Sequence, residues 1–364
     1  MSKVVVVGGG YAGTMVAKAL DPEAELILID PRDSFVNVSS SMRALVRPDW
    51  ADRPFFAYDR LLDRGRIVRG SVTSADAAGV TLASGERVNA DYLVLATGSA
   101  HAYPARPHLP ETSATEAARD LRATGQQLVR AGRVLIIGGG PVGLELAGEI
   151  REAWPDKHVT IIDRSSQALP GYLPEVREQL HRQLDGLGIE LRLGTAIESM
   201  PDVPDGVATA FAVQTTDGEA ITADIWFRCF GSQPNTGFLD DGALTELTER
   251  HTVAVDGHLN VVGHPRVYAL GDIAELPDAK MATWAQTQAP TVIENILAQL
   301  RGGDATSVYE PDATPRLLLP LGSRFGVGQL PSPDGGSVPA PVEAVVQRKG
   351  TDLFTARFAE RFGS

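Results

Sequence analysis

The chain opens on four valines, Val4 to Val7, that run straight into Gly8-Gly9-Gly10. A short apolar run without polar alternation predicts a strand buried on both faces, as in a parallel sheet. Tyr11–Leu20 then carries apolar residues at helical spacing, and Glu25–Asp30 is a second strand-like run closing on a carboxylate. Arg66–Val72 and Gly79–Val88 predict shorter strands, the latter with a turn at Ser84-Gly85. Leu93–Ala96 predicts a further buried strand ending at Thr97-Gly98. The proline-rich stretch His101–Pro110 predicts a linker. Past it the opening pattern returns, with a strand over Arg133–Ile137, a helix over Pro141–Trp154 and a strand over Val159–Asp163. Two copies of one unit, about 130 residues apart, predict two nucleotide-sized folds in tandem.

Ile225–Phe230 predicts another buried strand, ending at Gly231, and Val267–Leu270 leads into Gly271-Asp272 and a helix over Ala282–Leu300. Strand-like runs at Leu317–Leu321, Phe325–Leu330 and Val342–Val346, with a turn at Pro331–Val338, predict a small third lobe. The fold class is therefore α/β, with two tandem Rossmann-like dinucleotide-binding domains and a small C-terminal α+β lobe. The position of Gly271-Asp272 implies that the chain returns to complete its first domain. That division gives 1–105 with 251–304, then 106–250, then 305–364. Leu93–Gly98 marks the crossing between domains, and Cys229-Phe230-Gly231 is its degenerate counterpart.

Composition narrows the class. At 364 residues, 43% hydrophobic and 22% charged, the chain matches a soluble globular protein with a sizeable core. Its net charge of −13 argues against non-specific binding to nucleic acid or anionic lipid. Its one cysteine, Cys229, cannot form an internal disulfide, a CxxC pair or a four-sulfur metal site, and its apolar strand makes it a core residue. No pair among the seven histidines has metal-ligand spacing, so no metal is expected. No apolar run reaches the roughly 18 to 20 residues that span a bilayer. Ser2 stands where N-myristoylation requires glycine. The expectation is a cytoplasmic protein with no integral membrane segment.

The candidate chemistry lies in the glycine turns. Gly8, Gly10 and Gly13 form GxGxxG, a weak signal that its context strengthens: a strand precedes it, a helix follows, and Asp30 closes the next strand 22 residues after Gly8. Gly8 permits the tight turn, Gly10 lets backbone N–H groups approach a pyrophosphate, and Gly13 lets helix and strand pack closely. The helix N-terminus favours phosphate, and Asp30 can accept hydrogen bonds from a ribose. Gly138, Gly140 and Gly143 repeat the motif, with Asp163 closing the next strand 25 residues after Gly138. Two such folds bind two nucleotides, and FAD with NAD(P)H is the natural pair. Asp163 favours NADH, since a carboxylate repels a 2′-phosphate, while the adjacent Arg164 keeps NADPH open. Gly271-Asp272 suits a carboxylate that reaches a flavin's ribityl hydroxyls while the glycine leaves room.

On these residues the chain resembles the two-dinucleotide-binding-domain flavoprotein reductases of the pyridine nucleotide–disulfide oxidoreductase superfamily. Within them it is similar to the apoptosis-inducing-factor-like and ferroptosis-suppressor-type NAD(P)H:quinone reductases. The superfamily stretches are Val5–Gly13, Asp33-Ser34-Phe35, Arg43-Ala44, Leu93–Ser99, Ile136–Ile150, Val267–Asp272 and Lys280-Met281-Ala282. Gly326-Val327-Gly328-Gln329 and Lys349–Phe354 point to the subgroup. The resemblance implies FAD held by Gly8, Gly9, Gly10, Tyr11 and Ala12, by Arg43, by the backbone of Val72, and by Gly271-Asp272. Ala96, Thr97 and Gly98 join the cofactor-binding set, and Asp30 contacts the adenosine ribose. The helix starting at Met281-Ala282 points its N-terminus at the flavin. Gly138 to Gly143 hold the NAD(P)H pyrophosphate, Glu145 lies near the nicotinamide and Lys349 near the flavin.

The chain departs from relatives in having no redox CxxxxC after the first fingerprint, where it reads Asn37-Val38-Ser39-Ser40-Ser41. That excludes chemistry through an internal redox disulfide. The acyl site and the long C-terminal membrane segment of some relatives have no counterpart, which counts against a lipid-embedded quinone. The expected activity is hydride transfer from NADH to flavin, then electron transfer to a quinone or other small-molecule acceptor. Beside it stand an enzyme for a dedicated biosynthetic metabolite, a reductase of a protein electron carrier, and a nucleotide sensor without turnover. Plainer readings exist for single residues. Lys349, in the polar Gln347–Gly350 turn, reads as solvated, Glu145 as one half of a surface pair, and Arg43 as a salt-bridge partner of an acidic loop residue. Trp284 either walls the flavin pocket or simply packs. A homodimer is left open.

Overall fold

A computed structural model describes residues 1–107, 112–312 and 314–363. The end of the proline-rich stretch, through Pro110, lies outside the described residues. Lys3–Val7 is the central strand of a five-stranded sheet ordered Val267–Ala269, Tyr92–Leu95, Lys3–Val7, Glu25–Asp30 and Arg66–Arg69. Every neighbouring pair is parallel. Val4 and Val6 pack with Val16, Leu20 and Val292, whereas Val5 and Val7 pack with Val80, Val88 and Ile273. Both faces are covered, which is why valine fills four successive positions. The Val267–Ala269 strand comes back from far along the chain to pair with Tyr92–Leu95.

A second parallel sheet has the order Ile189–Leu193, His158–Asp163, Arg133–Ile137 and Ile225–Arg228. Its glycine turn leads into the helix Pro141–Ala153, with proline at the first helical position, where no backbone N–H is needed. The molecule is thus a mixed α/β fold built on parallel sheets.

Four local expectations need correction. The first helix starts at Gly13 rather than Tyr11, because residues 10–12 are spent on the turn. The Arg66–Val72 run breaks, so that Arg66–Arg69 joins the parallel sheet while Val72–Asp76 pairs antiparallel with Gly79–Leu82. Ser337–Pro339, whose first two residues fell within the expected Pro331–Val338 turn, is a third strand paired with Phe325–Pro331, which pairs in turn with Leu317–Leu321. Val342–Val346 is not a strand: Val342–Val345 is a helix that runs into a π-helical turn, Val346–Gly350. A short valine run fits either state. Packing decides it, since the Val345 methyls sit 2.8 and 2.9 Å from where side chains on Gly326 and Gly328 would begin. Side chains at either glycine would also strike the neighbouring strand, at the Leu319 carbonyl for Gly326 and the Leu317 carbonyl for Gly328.

The chain ends in an amphipathic helix, Thr355–Phe362, that carried no assignment in the sequence. Its Phe358 and Phe362 are buried against Phe35, with ring centroids 4.8 and 5.2 Å away. Among the described residues no helix is long and apolar enough to cross a membrane. Phe358→Ala should lower the unfolding free energy by about 3–5 kcal/mol, read from urea denaturation. A loss below about 1 kcal/mol would show that this helix does not belong to the core.

Candidate functional site

The two glycine turns have the same construction. Gly8 and Gly138 adopt φ of +103° and +114°, which an L-residue rarely adopts. A Cβ on Gly8 would stand 2.4 Å from the Ala96 carbonyl oxygen, and one on Gly138 would stand 2.6 Å from that of Cys229. The crossing point and its degenerate counterpart therefore do the same job in the two sheets. Side chains on Gly13 or Gly143 would strike the Gly8 or Gly138 carbonyl at 1.9 and 2.0 Å, so both helices press directly on their turns. Gly10 and Gly140 face open space. The carboxylates close the geometry: Gly9 N–H donates to Asp30 Oδ2 at 2.7 Å, and Gly139 N–H to Asp163 Oδ2 at 2.6 Å.

The first turn opens onto a cavity of about 550 Å³. Gly8, Gly10, Tyr11, Ala12, Asp30, Ala96, Thr97, Gly98, Gly271, Asp272, Met281 and Ala282 all line it, and so do Glu145 and Lys349. Residues spread over most of the chain converge here because strands from both ends of the sequence share the first sheet.

Two arginines that the sequence reading passed over give this cavity its charge. Arg32 grips Asp30, its Nε donating to Oδ1 at 2.9 Å and its Nη2 to Oδ2 at 3.0 Å. Burial raises the Asp30 pKa, but Arg32 and the backbone donors outweigh it and hold the carboxyl below its ordinary value. Arg106 also lines the cavity, makes no ion pair among the described residues, and has a buried Nε without a hydrogen-bond partner. Burial lowers its pKa and the like charge of Arg32 adds to that. A half-buried guanidinium whose Nε is buried without a partner is costly unless an anion meets it. With the open face of Gly10, it fits a diphosphate such as that of FAD.

On the opposite wall, Lys349 Nζ donates to Glu145 Oε1 at 2.7 Å and to the Leu318 carbonyl at 3.2 Å. The two side chains are only 13% and 10% exposed, so neither the solvated-lysine nor the surface-pair reading holds. Lys349 is presented by the π-helical turn, a local distortion found often at functional sites.

Other expected contacts fall elsewhere. Arg43 does not line the cavity: it is fully buried and paired with Glu149 at 2.7 Å, and its Nη1 donates to the Thr351 carbonyl. A carboxylate 106 residues away has taken the donors that the resemblance assigned to FAD. Val72 begins a strand that forms no part of the cavity wall. Gly9 and Gly13 shape the turn from behind it. Gly138, Gly140, Gly143 and Asp163 sit at the second turn, outside this cavity. Trp284 is packed away beneath the Arg316 guanidinium, 5.5 Å from its ring centre. Cys229 is not the core strand residue expected: it is half-buried just past the end of Ile225–Arg228, and burial raises its thiol to about 12.

Arg43→Leu should cost about 3–5 kcal/mol of stability by stranding the Glu149 carboxylate, and Arg43→Leu with Glu149→Leu should recover most of it. Denaturant titration reads both. A stable single variant that loses FAD instead would restore Arg43 to the cofactor site.

Residues 2–290 match the family model described as pyridine nucleotide-disulphide oxidoreductase. The chain is 30% identical to ferroptosis suppressor protein 1 of Homo sapiens, over 90% of this chain and 88% of that protein. It is 25% identical to apoptosis-inducing factor homolog A of Dictyostelium discoideum, over 91% and 85%. In fold it is similar to the sulfide:quinone oxidoreductase of Aquifex aeolicus, with a TM-score of 0.76, 16% identity, and coverage of 99% of this chain and 90% of that one.

Proposed function

The chain belongs to the pyridine nucleotide-disulphide oxidoreductase family, and from that premise we propose an NADH-dependent reductase of a quinone-like small molecule that works without a redox disulfide. It is an NAD(P)H-dependent flavin oxidoreductase with FAD as its cofactor. The observation that carries the finer reading is the Lys349–Glu145 pair on the wall of the cavity lined by the first fingerprint. FAD, when bound, supplies the hydride acceptor and the electron relay.

This chain's residues do the rest. Gly8, Gly10, Tyr11, Ala12 and Arg106 would hold the diphosphate, Asp30 together with Arg32 would lie at the adenosine ribose, and Asp272 would hold the ribityl hydroxyls. The Met281-Ala282 helix start and the Lys349 ammonium favour negative charge at the flavin's pyrimidine edge, with helix-end effects of about 0.3–2 kcal/mol. Glu145 would face the nicotinamide, with Lys349 Nζ holding one of its oxygens. Gly138, Gly140 and Gly143 carry the second pyrophosphate. Asp163 faces its ribose, and the exposed Arg164 leaves NADPH usable. Residues 1–105 with 251–304 then form the FAD unit, 106–250 the NAD(P)H unit and 305–364 the C-terminal lobe.

Leu317, Leu318, Leu330 and Val142 give the cavity an apolar wall beside the ion pair, which suits a flat apolar acceptor. The chain's one cysteine leaves no internal disulfide to relay electrons. Phe358 and Phe362 spend the apolar face of the Thr355–Phe362 helix on the core.

Anaerobic mixing of the FAD-loaded protein with NADH should bleach the flavin absorbance, and a short-chain quinone should restore it. Flavin that NADH leaves oxidised would overturn the proposal. Lys349→Met and Glu145→Gln should keep FAD yet slow a half-reaction by about tenfold or more, equivalent to about 1.4 kcal/mol. Asp163→Ala should weaken NADH more than NADPH in steady-state KM, and equal losses would remove ribose recognition from Asp163.

A further inference from the structure

At the Asp272 end of the cavity three side chains form one hydrogen-bonded chain. Ser99 Oγ lies 2.5 Å from Asp272 Oδ2 and 3.0 Å from His101 Nε2. Ser99 is buried, while Asp272 and His101 both line the cavity. The direction of the chain follows from what each group can do. An ionised carboxylate only accepts, so the Ser99 hydroxyl donates to Asp272. The hydroxyl oxygen must then accept from His101, which places the imidazole N–H on Nε2 and leaves Nδ1 bare.

The surroundings agree with a neutral ring. Burial lowers the His101 pKa, Arg106 on the same segment lowers it further, and Asp272, on the Gly271–Ile273 turn, opposes them. Among the described residues, Asp272 Oδ1 and His101 Nδ1 make no hydrogen bond. One oxygen of Asp272 is therefore held from behind while the other is open to the cavity.

We propose that His101 is a positioning residue for the cofactor, acting through Ser99 to fix the Asp272 carboxylate so that its free oxygen meets the hydroxyls of the flavin's ribityl chain. The proposal rests on FAD occupying this cavity. Neither Ser99 nor His101 needs to touch the reacting atoms. Their work is to remove the rotational freedom of a carboxylate that would otherwise have to be ordered on binding.

The test is the FAD affinity of the apoprotein, titrated by fluorescence, with thermal unfolding of each apoprotein followed in parallel. Ser99→Ala and His101→Leu should each weaken FAD by about tenfold. His101→Gln, which keeps an amide donor near the Nε2 position, should stay within about threefold of the parent. The double variant Ser99→Ala with His101→Leu should be no weaker than Ser99→Ala alone, because His101 acts only through Ser99. Full affinity in His101→Leu, or losses that multiply in the double variant, would overturn the proposal. Should His101→Leu fail to fold, His101→Gln is set against His101→Asn, which moves the donor to the Nδ1 position. Weaker FAD binding by Asn supports the proposal, and equal affinities overturn it. A parent apoprotein that takes up no FAD would instead remove the cofactor from this cavity, a different result from FAD bound with His101 indifferent.

Discussion

Three glutamates on one face of the helix Pro141–Ala153 hold the parts of the molecule together at its cavity. Glu145, Glu149 and Glu152 recur at helical spacing and pair with Lys349, Arg43 and Arg47. Arg43 and Arg47 lie on and just after the helix Val38–Val46, Lys349 on the π-helical turn Val346–Gly350, and the glutamates on the helix that follows the second sheet's glycine turn. Glu152 also accepts from the Ser323 backbone N–H and hydroxyl, both at 2.7 Å. Gly148, on the same helix, brings its backbone against Leu321, where a side chain would come within 2.5 Å of Cα. Burying ion pairs adds little net stability, because desolvation offsets the attraction. Their value here is register: they allow one angle of the helix, and that angle puts Glu145 on the cavity wall.

The two glycine turns are alike in backbone and differ in charge. Both carboxylates accept the N–H of the middle glycine, and both accept a backbone N–H two residues on. In the first turn that later residue is Arg32, whose side chain also clamps Asp30. In the second it is Ser165, and among the described residues no cation grips Asp163. The first turn faces a cavity whose lining includes Arg32, Arg106 and Lys349, and the second lies outside it. A resident cofactor in the first and an exchangeable nucleotide at the second are consistent with that difference.

Much of the fold was legible because buried parallel strands leave a strong signal. Val4–Val7 and Arg133–Ile137 could be little else, and each was followed by its glycines and its closing aspartate. Glu145 and Lys349 were legible only through family resemblance, since nothing local separates Lys349 from a solvated turn lysine. Arg43 was misplaced because Glu149, which takes its donors, lies on a helix of the other sheet. Arg106, Ser99 and His101 lie at or just past the end of a strand in an irregular, proline-rich segment, where no periodicity reports direction. Their roles emerge only when Asp272 returns to the same cavity. Val345 shows the same limit in the core, since its helical state depends on Gly326 and Gly328 of a neighbouring strand.

The account stands on one cavity serving both cofactors, with the Lys349–Glu145 pair where they meet. A crystal structure of the FAD-loaded protein with a non-reacting NADH analogue tests this most directly. The flavin ring should lie in the cavity against Lys349, with the nicotinamide on the Glu145 side. A flavin bound away from this cavity, or an ion pair remote from both rings, would contradict it.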